Sequence, residues 1–163
     1  MENLTIEQRK FLNLAVIEQK TYAEIEKLLN IDRSTISKLW DELKIPREEL
    51  SAIRRIWQQK CKDLDKYEFI EWYLNTQKKC YYCNLTQEDN NRLWILDPKL
   101  TKRNRGRSFE IDRKLPNELY DNIHNLVFSC YWCNNAKTDT FTEEEFKKII
   151  GPSIEKVWRN RLD

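Results

Sequence analysis

The chain has 163 residues, 34% charged and 40% apolar, and its 29 Lys and Arg against 27 Asp and Glu leave a net charge of +2. That length suits one domain, or two small ones with modest cores. No stretch approaches the roughly 18 apolar residues of a membrane span and no apolar leader opens the chain, so the expected protein is globular, cytoplasmic and free of membrane.

The first part reads as helical, with glycine nearly absent throughout (Gly106 and Gly151). Thr5 caps a helix through about Gln19, with Phe11, Leu12, Leu14, Ala15 and Ile17 available for a core face. Thr21 caps a second helix, whose Tyr22, Ile25, Leu28 and Leu29 recur at helical spacing. Asn30-Ile31-Asp32 makes a turn. A third helix runs from about Arg33 to Leu43, with Ile36, Leu39 and Trp40 as its apolar stripe. Ala23 is small enough to let helices approach closely, and Arg33, Ser34, Thr35, Ser37 and Lys38 face outward. The stretch from Thr21 to Trp40 resembles a helix-turn-helix DNA-binding module. The resemblance implies that those five polar residues meet base edges and phosphates from the third helix. A plain three-helix bundle stays open, because acids and bases nearly balance over this segment.

Ile45-Pro46 breaks the pattern, and Pro46 suits the first turn of the next helix. That helix should run to about Lys60, with another from Asp65 to Asn75. Cys61 stands alone and reads as a half-buried thiol.

The texture changes at Cys80. Cys80-Tyr81-Tyr82-Cys83 and Cys130-Tyr131-Trp132-Cys133 supply four thiolates, the set a tetrahedral Zn²⁺ takes. A reducing compartment favours zinc over disulfides or a redox dithiol, which are the alternatives. Residues 99–107 hold Lys99, Lys102, Arg103, Arg105 and Arg107 with no acid among them. Such a run is either a solvated loop or a phosphate-binding arm. Ser108 to Ile111 alternates like a strand, 115–123 reads as a loop, and Asn125 to Ser129 as a second strand. Helix is expected from Asn134 or Asn135. Thr142 with Glu145 forms a capping box, and a last helix follows Pro152. Strand, loop, strand and helix around a metal make a ββα unit.

Cutting a phosphodiester takes a divalent cation to stabilise developing charge, an activated water, and a donor for the leaving oxygen. Asp112 and Asn134 offer oxygens of the kind Mg²⁺ accepts. Asn125 can pin the loop or position the attacking group. Lys137 lies one helical turn beyond Asn134, where it can meet phosphate. Glu110 shares a strand face with Asp112, either as a further metal carboxylate or as a partner for Arg113 or the basic arm.

Glu110-Ile111-Asp112-Arg113-Lys114-Leu115-Pro116, Asn125-Leu126, and Cys130 through Lys137 together resemble the HNH (ββα-metal) nuclease family with flanking zinc knuckles, over about residues 78–150. The resemblance implies metal-dependent DNA hydrolysis with one Mg²⁺ or Mn²⁺, held by Asp112 and Asn134, with Asn125 as the middle asparagine. One departure matters. Arg113 stands where the family has its general-base histidine, and a guanidinium cannot take that proton. His124 or Tyr120 can supply the base instead, although His124 should face away from Asn125 on a strand and a phenol needs strong activation. Alternatively, solvent or substrate phosphate takes the proton while Arg113 clamps the phosphate, or the site is inactive.

The expected architecture is mainly α with a small ββα-metal and zinc-knuckle module (α+β). Residues 1–45 form the helix-turn-helix-like module, 46–77 a helical linker, and 78–163 the zinc-stabilised HNH-like module with C-terminal helices. The expected function is DNA cleavage, with DNA as partner and a homodimer if the target is palindromic. The rivals are an inactive DNA-binding regulator and a zinc-stabilised protein-interaction module.

Overall fold

The computed structural model describes residues 4–163, and the chain separates into two compact units, Met1–Tyr73 and Leu74–Asp163. The boundary falls near the end of a helix, so the segment 46–77 is divided between them.

The first unit is helical. Helix α1 (Ile6–Leu12) starts on a Thr5 and Gln8 capping box and runs into a π-helical turn at Asn13–Ile17. The wider turn shifts the apolar phase. Val16 joins Phe11, Leu12 and Ile17 in the interior, while the expected Leu14 and Ala15 are only half-buried. Helix α2 (Tyr22–Leu29) has a Thr21 and Glu24 capping box and ends on Asn30 in the left-handed region, at φ 53°. Helix α3 (Arg33–Glu42) is capped by Asp32, whose Oδ1 accepts the Thr35 amide at 2.7 Å. Ile25 and Ile36 are fully buried, each burial worth roughly 1.5–3 kcal/mol. Ala23 and Leu28 are instead exposed.

Helix α4 (Lys44–Lys60) begins before Pro46, which lies in the first turn, where amides have no intrahelical acceptor to lose. Arg47 stacks 3.9 Å from the centroid of Trp40 and donates to its carbonyl at 3.0 Å. Helix α5 (Lys66–Asn75) is opened by Asp65, whose Oδ1 accepts the Tyr67 and Glu68 amides. Cys61, expected half-buried, has no exposed surface.

The second unit is built around a two-stranded sheet and the cysteines. Helix α6 (Gln87–Leu96), capped by Thr86, lies between the knuckles. Strand β1 (Glu110–Arg113) pairs antiparallel with β2 (Leu126–Ser129), placing Glu110 opposite Ser129 and Asp112 opposite Val127. Helix α7 (Tyr131–Lys137) starts inside the second knuckle, earlier than the Asn134 or Asn135 expected. The reason is local: Cys130 is its N-cap, with Sγ accepting the Cys133 amide at 3.4 Å. Helix α8 (Glu143–Glu145) carries the expected capping box, and a π-helical turn (Phe146–Ile150) leads into α9 (Gly151–Leu162). The core gathers all four knuckle cysteines with Tyr82, Leu85, Leu93, Val127, Phe146 and Trp158. Gly151 is required there, since a Cβ would lie 2.4 Å from the Tyr82 carbonyl oxygen. Among the described residues no helix is long and apolar enough to cross a membrane.

Candidate functional site

The four sulfurs of the two knuckles come together first. Cys80, Cys83, Cys130 and Cys133 are buried, and their Sγ atoms all lie within 4.8 Å of one another. Cys83 and Cys130 sulfurs are 3.7 Å apart. Four sulfurs at ~2.3 Å from a tetrahedral Zn²⁺ would be about 3.8 Å apart, whereas a disulfide needs ~2.05 Å. All five cysteines are free. The donor set therefore fits a tetrathiolate metal site. Hydrogen bonds from Cys130, Cys133 and Cys83 hold Cys80 well below the ordinary thiol range, and contacts to Cys130, Cys80 and Cys83 push Cys133 well above it.

Strand β1 positions the acids. Ile111 turns into the core, while Glu110 and Asp112 share the other face. Asp112 is nearly buried at 8% exposure. Its Oδ2 accepts the Tyr82 hydroxyl at 2.9 Å and lies 3.6 Å from Lys137 Nζ. Its Oδ1 accepts the Arg113 amide at 2.8 Å. Burial, then the Asp112 charge, push the Tyr82 phenol far above its ordinary value, so it remains a donor. Asn134, from α7, donates through Nδ2 to Glu110 Oε2. The face thus carries two neighbouring pairs, Glu110 with Asn134 and Asp112 with Lys137.

Glu110 and Asn134 open onto a cleft of about 480 Å³, shared with Arg105, Arg107, Tyr131 and Asn135. Lys137 does not reach that space. It shares the Asn134 face of α7, but there it is sealed against β1 at 1% exposure and donates to the Arg113 carbonyl at 2.8 Å. The phosphate contact expected of it is replaced by an internal one.

The loop between the strands is tied down by two expected site residues. Asn125 is buried, accepts the Leu115 amide at 2.9 Å and donates to the Leu115 carbonyl at 3.3 Å. It sits in a 3₁₀ turn (Ile123–Asn125) ahead of β2, so strand alternation does not govern His124, which is exposed. Arg113 folds back, donating from Nη1 to the Glu118 carbonyl and stacking 4.5 Å from the Tyr120 centroid.

The basic run is an ordered loop fastened to α6. Asn90 donates to the Gly106 and Arg107 carbonyls at 3.2 and 3.0 Å, and Trp94 Nε1 donates to the Gly106 carbonyl at 3.1 Å. Arg107 stacks 4.1 Å from the Trp94 centroid. Lys102, Arg103, Arg105 and Arg107 are exposed. In the first unit, Arg33, Ser34, Ser37 and Lys38 are exposed on α3 while Thr35 is half-buried. Arg33 lies 5.3 Å from the Tyr22 centroid, Ser34 donates to Asp32, and Lys38 is 3.8 Å from Glu42.

Sequence reasoning missed α6, Asn90, Trp94 and the part played by Tyr82. Thr86 with Asp89 three residues on, ahead of Leu93 and Trp94, was a readable helix start. Nothing local to Tyr82 announces a partner 30 residues away.

No family model matches this chain, and no curated protein matches it. Among solved structures it is similar to the rare-cutting HNH restriction endonuclease PacI, at 23% identity and a TM-score of 0.51, over 75% of this chain and 78% of that one. At that identity the likeness is one of fold. It agrees with the architecture above: a mainly helical α+β chain carrying an HNH-like module with a small two-stranded sheet.

Proposed function

We propose that this protein is a metal-dependent DNA endonuclease working at an HNH-like site, with α3 assisting DNA binding as a helix-turn-helix would. The observation that carries the reading is the cleft in which Glu110 and Asn134 meet Arg105 and Arg107, with Asp112 two residues along β1 from Glu110 on the same strand face. Oxygen donors beside guanidinium groups suit a divalent cation and a phosphodiester together. The solved neighbour is a restriction endonuclease, in keeping with this reading.

The donor chemistry fits Mg²⁺ or Mn²⁺, with Asp112 and Asn134 as its ligands and Glu110 as a further carboxylate. Such an ion, when bound, stabilises charge on the scissile phosphate and lowers the cost of ionising water. The chain's residues do the rest. Arg105 and Arg107 draw in and orient the phosphate. Asn125 and Arg113 hold the loop that borders the strand face. Lys137 supplies a buried positive charge to Asp112 and fixes the Arg113 carbonyl. The tetrathiolate cluster, as a zinc site, holds β2 and α7 in place from behind.

Plasmid DNA incubated with Mg²⁺ or Mn²⁺ tests the proposal. Wild-type protein should nick or linearise it, and Asp112→Ala and Asn134→Ala should each lose at least 100-fold in rate. Equal cleavage by all three would reject the site. A second reading is favoured by Arg113, which occupies the usual base position and is committed to Glu118 and Tyr120. On that reading the module binds DNA without cutting it. Salt-sensitive duplex binding with no cleavage under any divalent metal would decide for it.

A further inference from the structure

Side chains from both cysteine knuckles converge on one carboxylate. Tyr82 lies inside the first knuckle, and its hydroxyl donates to Asp112 Oδ2 at 2.9 Å. Lys137 belongs to the helix capped by Cys130, and its Nζ is 3.6 Å from the same oxygen. Tyr82 and Lys137 are 2% and 1% exposed, so neither reaches a DNA backbone. Both act inward, on Asp112. Oδ1 meanwhile accepts the Arg113 amide at 2.8 Å. A carboxylate offers about four lone-pair sites, so Oδ1 retains capacity for a cation while Oδ2 is held.

We propose that Tyr82 is a positioning residue: its phenol, set in place by the cysteine clasp, fixes Asp112 Oδ2 and so presents Oδ1 to the divalent cation. This rests on the nuclease-site reading above and deepens it. An outer hydrogen-bond partner orients a ligating carboxylate, and removing one typically weakens metal affinity about 10–100-fold. The hydroxyl can be removed with little damage. Phenylalanine keeps the ring and its edge-on packing against Tyr81 and Phe146, at 5.3 and 5.1 Å between centroids.

The test uses the full zinc-loaded chain and Mn²⁺ alone, with free Mn²⁺ followed by electron paramagnetic resonance. Tyr82→Phe should keep its zinc and bind Mn²⁺ about tenfold more weakly or worse. Asp112→Ala should bind it still more weakly. Adding Tyr82→Phe to Asp112→Ala should change nothing further, because no carboxylate is left to orient. Wild-type Mn²⁺ affinity in zinc-replete Tyr82→Phe would overturn the positioning role, and so would an undiminished loss in the Asp112→Ala background. Should Asp112→Ala itself bind like wild type, the site reading fails first and the Tyr82 role falls with it. A variant-free arm covers loss of zinc in Tyr82→Phe: Mg²⁺ added to wild-type protein labelled at tyrosine ¹³Cζ should move the Tyr82 resonance. A stationary line refutes the proposal.

Discussion

Cys61 is a buried thiol whose environment sets a pH limit on the first unit. Burial pushes it up to about 11 from an ordinary 9.0. Below about pH 9 the group is protonated whether the chain is folded or not, and it costs nothing. Between about 9 and about 11 the unfolded chain releases its proton first, so folding stability falls, by roughly 2 kcal/mol across the window. Urea unfolding at pH 8 and pH 11 should show that loss in the wild type and a smaller one in Cys61→Ala. The residue was legible as a lone cysteine, but not its complete burial, because the charged neighbours Lys60, Lys62 and Asp63 disguise the turn that encloses it. Lys137 was misread for a related reason. Helical spacing gave its face, but which way that face points depends on α7 packing against β1, a contact between distant segments.

Elements with strong local signals were the legible ones. Thr5 and Thr21 announced helix caps and Thr142 a capping box, and all three form. The CxxC spacing brought four sulfurs to one point. What the sequence hid were departures from regular period, namely the π-helical turns at Asn13–Ile17 and Phe146–Ile150, and the α6 insertion between the knuckles. The knuckles themselves carry a firm expectation. Cys130 is at once cap of α7 and member of the sulfur cluster, so one sulfur serves the helix and the cluster together. Metal analysis should find about one Zn²⁺ per chain, and Cys133→Ser should lose it along with the hydrogen-exchange protection of β2 and α7. Protection that survives complete chelation would show that the sulfur cluster does not need an ion to hold.

Over the whole molecule the charge is nearly neutral, 29 basic against 27 acidic residues, so no general field draws in a polyanion. Under the proposed function, attraction to DNA comes from a local patch, the loop carrying Arg105 and Arg107. Duplex affinity should fall with rising salt. Replacing either arginine by alanine should flatten the log–log slope by ~0.9, one phosphate's share, while leaving zinc content unchanged. A slope identical to wild type in both variants would move the DNA contact elsewhere. The anchoring of that loop by Asn90 and Trp94 has a consequence for how tightly it can grip. Its main chain is already set before any partner arrives, so little conformational freedom is surrendered on contact. Cutting those tethers should leave every positive charge in place and still weaken the hold, by returning to the loop the disorder it has already given up.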